Sequence, residues 1–519
     1  MWSQPGTAAI SYADLIFHRV RNGMLINDWT VDWSREPYTH SFYPQALLCE
    51  MKTPTLHSSL FSGAKDISPR VIADALYGAY GYSGMRLNIN RNDRMQVYCN
   101  AAAAKWGRTT ASGGGRYCAD FYLIESGQGD NGNLEPGIYH YTPLRHGWER
   151  LKTGDYTQNI AQAQDYPDTA ERYLLITINY WRSGFKYNDF AYQATAMDVG
   201  TVMASLMTLL GDQTDHTWDM WINEQSIAPL LGLDTDTDGV YAIQGWGNKV
   251  ERGDVSPSSI TELPYRVSMG DGTVRNFITT LDLQRDMVGY PSRPEHWGIR
   301  QVVDRSAKSD TTFEHWNSLM RRTTSFGRFL PVPYDESQLI SILDKADELS
   351  VALLPLGESN VRLEYLIYVS RVNGLRPGLY TYTGRTGQLT CIQEGAQDKF
   401  LEGTYFLSNY DSRKAAATII ICGNVYQCCQ RWGVRGYRLL NAVVGASCQA
   451  ISIEGARLKI GTGAALGFDA EAHANHAGMD KRRMTPMLMM MTGVDDPRAG
   501  SFHSEVSPVH GNEGAEYVD

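Results

Sequence analysis

Two adjacent arginines followed by hydroxyl side chains are the first residues of this chain that suggest a chemical role. Arg321 and Arg322 come directly before Thr323, and Ser325 follows two residues later. A guanidinium presents a planar fork of N–H donors that matches the oxygens of a phosphate, and neighbouring hydroxyls add further donors. An arginine pair at a helix end is often only a solvated face, but this grouping suits a phosphate monoester. We therefore predict a phosphate-binding segment at 321–325.

The arginine pair lies in the second of two related stretches of sequence. Residues 134–142 read Leu-Glu-Pro-Gly-Ile-Tyr-His-Tyr-Thr, and residues 375–383 read Leu-Arg-Pro-Gly-Leu-Tyr-Thr-Tyr-Thr. A second match aligns residues 192–200 with residues 437–445, and each of these opens a long apolar stretch. The copies are much further apart than the roughly 20–50 residues of a solenoid repeat. The pattern indicates a duplicated domain that folds as a built-in dimer, in which a site at the interface can exist once and asymmetrically.

Apolar periodicity predicts the elements that must position these residues. Helical spacing of apolar side chains marks the helices, and short apolar runs bounded by turn residues mark the strands. The predicted helices are 67–80, 194–210, 336–349 and 439–454, and the predicted strands are 95–99, 120–124, 138–141, 173–179, 365–369, 417–422 and 487–491. Strands mixed with helices in both copies predict an α+β fold, with two tandem domains that form an intramolecular pseudo-dimer.

The same patterns divide the chain into five segments. They are an N-terminal extension (1–60), a first domain (61–250), a connector (251–310), a second domain (311–495) and a tail (496–519). The extension is rich in Trp, Tyr, Pro and His, and we expect it to wrap over the first domain. The connector is irregular and bears several prolines, and the polar tail is predicted to be disordered.

The composition argues against several other classes of function. The 519 residues carry a formal net charge of −10 and no long run of lysine or arginine, which argues against a nucleic-acid partner. No apolar run is long enough to span a bilayer, and residues 1–11 lack the features of a secretory signal. None of the eight cysteines lies in a Cys-x-x-Cys pair or a Cys/His ligand spacing. We therefore expect a cytoplasmic protein with no membrane partner and no metal site.

Three motifs of this chain resemble those of one protein family. The arginines and hydroxyls at 321–325, on a helix followed by a phenylalanine and a further helix, resemble the flavin-binding start of the nitroreductase fold. The segment 108–117 reads Arg-Thr-Thr-Ala-Ser-Gly-Gly-Gly-Arg-Tyr, and it is similar to the Pro-Ser-Ala-Gly loop of the SagB-type azoline dehydrogenases within the nitroreductase superfamily. The segment 184–192, Gly-Phe-Lys-Tyr-Asn-Asp-Phe-Ala-Tyr, looks like the lysine–tyrosine motif of the same group. The resemblance covers roughly residues 60–495 and implies two tandem nitroreductase-like domains that bind FMN.

The resemblance assigns a role to each motif residue. It implies that Lys186 and Tyr187 are catalytic. The implied FMN-binding residues are Arg321, Arg322, Thr323, Ser325, Ser112, Gly113 and Gly114. Glycines in the loop let backbone N–H groups approach the flavin ring closely. Asp189 and Asp198 are candidates to support these residues, but neither is assigned to the site. Asp198 is interpreted as structural, because it lies mid-helix in an apolar stretch.

Each copy lacks what the other retains. At the arginine position, the first copy reads Thr-Leu-His-Ser-Ser-Leu-Phe (55–61). At the lysine–tyrosine position the second copy has Arg431 and Trp432, and its loop becomes Leu-Pro-Leu-Gly-Glu-Ser (354–359). Nitroreductase-like proteins are dimers with flavin at the interface, so the resemblance implies that one half supplies the arginines and the other covers the ring. We infer one composite FMN site per chain and one degenerate pseudo-site.

The resemblance implies oxidation of azolines to thiazoles or oxazoles in a ribosomally synthesised peptide. Aromatisation removes a proton from the ring carbon that was the amino-acid α-carbon and moves a hydride from the adjacent carbon to flavin N5. Because that C–H is only mildly acidic, a base within hydrogen-bond reach is needed. A neighbouring ammonium lowers a tyrosine pKa, and desolvation lowers a lysine pKa. Lys186 and Tyr187 are therefore assigned jointly as base and proton relay, and their order is left open.

The resemblance also implies partners and leaves alternatives. The expected partners are an azoline-containing precursor peptide and the cyclodehydratase or leader-binding proteins of a thiopeptide or azole-peptide pathway. A nicotinamide-dependent FMN reductase, acting on nitro compounds or dehydroamino acids, would have no obvious use for the lysine–tyrosine base. A flavin-free scaffold would explain the lost motif residues, but random loss would not partition so neatly between the copies. The peptide, the kind of azoline, the electron acceptor and further oligomerisation are open at this point.

Overall fold

Two antiparallel sheets, each with a long buried helix inserted before its last strands, repeat one plan along the chain. The computed structural model describes residues 7–22, 30–62, 67–90, 98–127, 134–211, 218–247, 250–251, 263–267, 278–289, 293, 309–322, 329–354, 362–384, 386–406, 410–496 and 503–505. The helices are α1 (Thr7–Phe17), α2 (Arg19–Asn22), α3 (Pro69–Tyr80), α4 (Thr157–Ala163), α5 (Tyr180–Tyr187), α6 (Ala191–Leu210), α7 (Glu224–Ile227), α8 (Ile278–Val288), α9 (Ser309–Arg322), α10 (Glu336–Ala352), α11 (Asp398–Thr404), α12 (Val425–Arg457) and α13 (Ala470–His476).

The strands alternate with these helices in both halves. They are β1 (Leu47–Glu50), β2 (Tyr82–Asn90), β3 (Tyr98–Arg108), β4 (Ala119–Glu125), β5 (Gly137–Thr142), β6 (Gly147–Thr153), β7 (Asp168–Thr169), β8 (Arg172–Asn179), β9 (Asp238–Trp246), β10 (Val250–Glu251), β11 (Phe329–Leu330), β12 (Tyr334–Asp335), β13 (Glu364–Val369), β14 (Val372–Asn373), β15 (Gly378–Thr383), β16 (Gln388–Glu394), β17 (Ala417–Gly423), β18 (Gly461–Ala465), β19 (Thr485–Asp495) and β20 (His503–Glu505).

The two halves place equivalent strands side by side in the same way. The first sheet has the order β1-β6-β5-β4-β8-β9, and the second has the order β11-β19-β17-β13-β15-β16, with β18 also pairing with β19. The Tyr-Leu-Ile strand pairs antiparallel with the Pro-Gly-x-Tyr strand in both sheets, as β4 with β5 and as β13 with β15. The next pairing contains a register shift at the same aligned position, between Ile138 and Tyr139 and between Leu379 and Tyr380. This shared irregularity confirms the predicted duplication.

The halves meet where α6 crosses α12. A Cβ atom placed on Gly200 would lie closer than 3.0 Å to the carbonyl oxygen of Ala442, and one placed on Gly445 would lie equally close to that of Met197. In the alignment of the two copies, Met197 matches Ala442 and Gly200 matches Gly445. The contact is therefore reciprocal, as at an isologous two-fold interface. This geometry confirms the predicted α+β pseudo-dimer within one chain.

The N-terminal extension contacts both halves and not only the first. Tyr12 on α1 packs edge-on against two tyrosines at aligned positions, with ring-centroid distances of 6.0 Å to Tyr192 and 5.3 Å to Tyr437. β1 extends the first sheet beside β6, whereas Arg19 donates to the backbone carbonyl of Phe468 in the second half at 3.1 Å. The expectation that the extension wraps over the first domain was therefore incomplete, because its aromatic helix fits the seam between the halves.

Most predicted elements are present, and the departures fall where periodicity is weak. The predicted helices correspond to α3, α6, α10 and part of α12, and the methionine-rich β19 is a buried inner strand, as predicted. The connector, expected to be irregular, contains α8. Within the tail predicted to be disordered, β20 pairs with β2, so that short segment is ordered. Residues 95–97 of one predicted strand lie outside the described residues.

Helix α12 has the length and composition of a membrane span, although the sequence suggested no such run. It is the single helix of that kind within the described ranges. Of its most apolar window, 94% is buried inside the protein, because α12 packs between the second sheet and α6. A helix that is apolar nearly all round is explained by this burial.

We expect Gly200→Ala and Gly445→Ala each to destabilise the protein by about 1–3 kcal/mol, because an added methyl group would overpack the helix crossing. Gly403 in α11 is a matched control, since a Cβ atom there meets nothing within 4 Å. Gly403→Ala should leave stability unchanged or raise it by up to about 1 kcal/mol, through helix propensity alone. Urea unfolding measures all three, and wild-type stability in both interface variants would contradict this account of the crossing.

Candidate active site

The helix that carries Lys186 and Tyr187 is held by a buried ion pair. The Arg182 guanidinium on α5, which is fully buried, donates to both carboxylate oxygens of Asp120 at 3.1 and 2.9 Å. Burial alone would raise the pKa of Asp120, but the charge of Arg182, together with that of the nearby His140, holds it well below its usual value. Because Asp120 lies on β4, this pair fixes α5 against the first sheet.

Helix α5 ends on a residue with a strained backbone. Asn188 has φ 45° and ψ −134°, a conformation that favours glycine, and its N–H donates to the Gly184 carbonyl oxygen. The aligned residue of the second half is Gly433, with φ 59° and ψ −141°, which forms the kink inside α12. The same backbone bend therefore exists in both halves. The first half builds it with a residue that has a side chain, directly after the lysine–tyrosine pair.

Lys186 and Tyr187 converge on a glycine turn that follows β3. Gly114 and Gly115 lie in a 3-10 turn with φ values of 61° and 67°, in the left-handed region that glycine adopts without strain. A Cβ atom on Gly114 would lie within 3.0 Å of both the Tyr187 Oη and the Lys186 Nζ. Two polar atoms from adjacent residues of one helix thus meet at the backbone of Gly114.

Side chains of the second half hold the same loop. At the end of α9, Arg322 donates to the carbonyl oxygen of Arg108 at 2.7 Å and also to that of Thr109. On α12, the Gln449 side chain accepts the N–H of Ala111 at 3.1 Å and donates to the Thr109 carbonyl oxygen at 3.0 Å. Arg322, which was predicted to bind phosphate, therefore lies beside the loop that was predicted to approach the flavin ring. The arginine and the loop come from different halves.

Asp198, which the sequence analysis interpreted as structural, joins this loop to α6. Its carboxylate accepts the Ser112 hydroxyl at 2.6 Å and the Gly113 N–H at 2.9 Å. These contacts engage two of the loop groups that were predicted to face the cofactor. One signal in the sequence points to Asp198, namely a carboxylate in an apolar helix where the second copy has Val443.

Tyr187 is a phenol, and not a phenolate, at neutral pH. Burial raises its pKa to about 12, the charge of Asp198 acts in the same direction, and Arg116 opposes them. The sequence analysis expected a neighbouring ammonium to lower this pKa. That expectation was wrong in direction, because the loss of solvent around the hydroxyl outweighs any nearby positive charge.

The remaining predicted residues are placed as follows. Arg321 is exposed at the end of α9, one residue before Arg322. Thr323 and Ser325 lie outside the described residues, as do residues 355–359 of the second-half loop. The Asp189 carboxylate accepts the backbone N–H of Thr280 at 2.9 Å, so it ties α8 to the end of α5 in a structural role.

Comparison with solved structures defines the fold. A candidate nitroreductase from Anabaena variabilis matches 94% of this chain and 99% of that chain, with 16% sequence identity and a TM-score of 0.70. Because this match spans both halves, the chain has the nitroreductase fold in a form that joins two tandem domains.

Two further matches are partial. One is to the E. coli microcin synthetase McbBCD complex with truncated pro-MccB17 bound, at 16% identity, with 33% of this chain and 68% of that chain covered and a TM-score of 0.28. The other is to a candidate nitroreductase from Ralstonia eutropha, at 16% identity, with 38% and 88% covered and a TM-score of 0.29. Both scores are too low to define a shared fold. Neither protein-family models nor curated proteins match the sequence.

We expect Asn188→Gly to stabilise the protein by up to about 1 kcal/mol, because relief of backbone strain exceeds the added entropy of a glycine in the unfolded chain. The reciprocal change at the aligned position, Gly433→Asn, is the matched control and should destabilise by about 1–3 kcal/mol. Urea unfolding of both variants tests this pair. A less stable Asn188→Gly variant would mean that the asparagine side chain contributes more than its backbone strain costs.

Proposed function

We propose that this protein is an FMN-dependent dehydrogenase that oxidises thiazoline or oxazoline rings to azoles in a ribosomally synthesised peptide. The observation that carries the proposal is the convergence of Lys186 and Tyr187 on Gly114, in a loop that Arg322 of the other half contacts. The nitroreductase fold supports a flavin-type oxidoreductase in general. The lysine–tyrosine pair, through its sequence resemblance, supports the azoline substrate in particular.

The hydrogen-bond donors at 321–325 and the glycine at position 114 fit FMN. The exposed guanidinium of Arg321 suits its phosphate, and the hydroxyls of Thr323 and Ser325 would add donors. Arg322 lies beside this group and holds the carbonyl oxygens of Arg108 and Thr109. On the loop, Gly114 would let the ring approach the Lys186 amine and the Tyr187 hydroxyl, because a side chain at that position would occupy the space beside both groups. Ser112 and Gly113 support that approach indirectly, by holding the loop through Asp198. FMN bound here would supply the hydride acceptor.

One cofactor per chain follows from the asymmetry of the two halves. At the positions of Lys186 and Tyr187 the second half has Arg431 and Trp432, and at the position of Asp198 it has Val443. The first half in turn has no arginine at the position of the Arg321–Arg322 pair. The second site of the pseudo-dimer therefore lacks a phosphate anchor, a base and the carboxylate that holds the loop.

The raised pKa of Tyr187 supports a division of roles between the two proposed catalytic side chains. Because Tyr187 stays protonated, it acts as a hydrogen-bond donor that orients the azoline ring. Lys186 is then the proposed base that takes the proton from the ring carbon that was the amino-acid α-carbon, while the adjacent carbon gives up a hydride. A positioned base of this kind contributes about 10²–10⁴ in rate.

The test is oxidation of an azoline-containing peptide by protein loaded with FMN, without added nicotinamide. We expect each azoline ring to lose the mass of two hydrogen atoms, and Lys186→Ala to lower the rate by about 10²–10⁴ with flavin still bound. Tyr187→Phe should lower the rate as well, through loss of the orienting hydroxyl. Wild-type rates in both variants would refute these roles.

Controls separate the proposed function from its alternatives. Arg431→Ala, at the aligned position of the second half, should leave the rate unchanged, whereas Arg321→Ala combined with Arg322→Ala should abolish flavin binding. Oxidation or reduction that requires a nicotinamide donor would indicate the reductase instead. Protein that stays colourless after incubation with FMN and desalting would indicate the flavin-free scaffold.

The glycine turn offers a second, paired test. Gly114→Ala and Gly115→Ala both place a side chain at a left-handed φ, so the two share that backbone penalty. A Cβ atom on Gly114 meets Tyr187 and Lys186, whereas one on Gly115 meets nothing closer than the Tyr117 ring at 3.9 Å. We expect Gly114→Ala to lower the oxidation rate by about 10² and Gly115→Ala by less than about tenfold, because small displacements of catalytic groups are costly. Equal effects would mean that the contact with Gly114 has no catalytic consequence.

A further inference from the structure

Asp198 is a buried carboxylate that the packing of its helix does not require. The residue is 7% exposed on α6, next to the crossing with α12. At the aligned position of the second half the crossing accommodates Val443, which is fully buried. An apolar side chain can therefore fill the equivalent position of the pseudo-symmetric interface. The carboxylate is retained in the half that carries Lys186 and Tyr187.

The contacts of Asp198 all lead to one turn. Its two oxygens accept the Ser112 hydroxyl and the Gly113 N–H, and the Cys118 thiol donates to it at 3.3 Å. The Ser112 oxygen in turn accepts the Tyr117 N–H at 2.8 Å. The carboxylate thus reaches both ends of the turn 112–117, directly at Gly113 and through Ser112 at Tyr117. Gly114 lies between these two fixed points.

We propose that Asp198 is a positioning residue, whose carboxylate holds the turn 112–117 so that Gly114 stays against Lys186 and Tyr187. The hydrogen bonds from the turn to Asp198 exist in the folded chain without any ligand. Their effect on azoline oxidation rests on the proposed function. The arrangement is specific to one half, because Val443 has no oxygen with which to fix a turn.

The ionisation of Asp198 gives this hold a pH dependence of defined sign. Burial raises the pKa of Asp198 to about 6, and the hydrogen bonds from Ser112, Gly113 and Cys118 oppose that shift. Opening of the turn would admit water and return the pKa towards its ordinary value near 3.8. Since the closed turn has the higher pKa, it takes up a proton more readily than the open turn. The closed turn therefore gains stability as the pH falls through about 6 and loses it as the pH rises.

The thiols and phenols around Asp198 do not titrate in the same interval. The titratable groups that face it are Cys118, Tyr80 on α3, Tyr187 on α5 and Cys448 on α12, with Lys186 and Arg322 beyond them. Burial raises the pKa of each of these thiols and phenols, so they stay neutral in mildly acidic and neutral solution. A pH dependence of the turn in that interval that disappears in Asp198→Asn is therefore assigned to Asp198.

Hydrogen exchange at the Gly113 amide tests the proposal without flavin or peptide, since local opening sets the protection of that amide. In the wild-type protein we expect protection to be roughly tenfold higher at about pH 5 than at about pH 7.5, after correction for intrinsic exchange. Asp198→Asn keeps an acceptor oxygen for Gly113 but cannot ionise, so its protection should not change with pH. Asp198→Val, which copies the second half, should lose protection at Gly113 by about tenfold or more.

Two further measurements separate positioning from general stability and from the proposed function. Cys118→Ala removes the thiol contact alone and should leave Gly113 protection unchanged, and amides of the α6–α12 crossing should stay protected in every variant. With FMN and an azoline peptide, Asp198→Val should lower kcat by about 10² and Asp198→Asn by less than about tenfold. Wild-type protection of Gly113 in Asp198→Val, or a pH response retained in Asp198→Asn, would overturn the proposal. Absence of flavin binding in the wild type would refute the proposed function and leave the amide result intact.

Discussion

The contact between α6 and α12 is the constraint on which the rest of this structure depends. Gly200 and Gly445 let the two helix backbones approach until the carbonyl oxygen of one lies where a side chain of the other would stand. At that separation Gln449 on α12 and Arg322 on α9 can reach the loop 108–111 of the first half. A wider crossing would move Gln449 and Arg322 beyond hydrogen-bond distance of that loop. The candidate site can therefore contain residues of both halves because the helix crossing has glycine at positions 200 and 445.

The pseudo-two-fold arrangement also explains how the two halves could come to differ. In a homodimer any substitution appears at both interface sites, whereas in a fused chain each half changes independently. Here the backbone stays symmetric while the side chains diverge, as the shared bend at Asn188 and Gly433 demonstrates. The register shift at the same position of both sheets makes the same point for the strands. The candidate site residues are divided between the halves, while the backbone that holds them is the same in both.

The candidate site contains backbone strain and buried ionisable groups, both of which lower the stability of the folded chain locally. Asn188 occupies a glycine-type conformation, worth about 1–3 kcal/mol of strain for a residue with a side chain. Burial disfavours the ionised form of Asp198 and the phenolate form of Tyr187. These costs fall within one region, between the end of α5, the glycine turn and the middle of α6. Strain and shifted pKa values concentrated in this way are typical of functional sites, since packing elsewhere must hold them in place.

The sequence by itself determined the duplication, the order of the elements and the asymmetry of the motifs. Those features are local, because periodicity and turn residues such as Pro136-Gly137 act over a few neighbouring residues. The tertiary structure decided what depends on distant parts of the chain, including the partner of Asp198, the reach of Arg322 to the first half and the seam filled by α1. It also reversed the expected pKa shift of Tyr187, because the direction is set by burial against Gly114 and not by the residue next in sequence. Burial and long-range contact arise only when both halves pack together, so no reading of neighbouring residues could supply them.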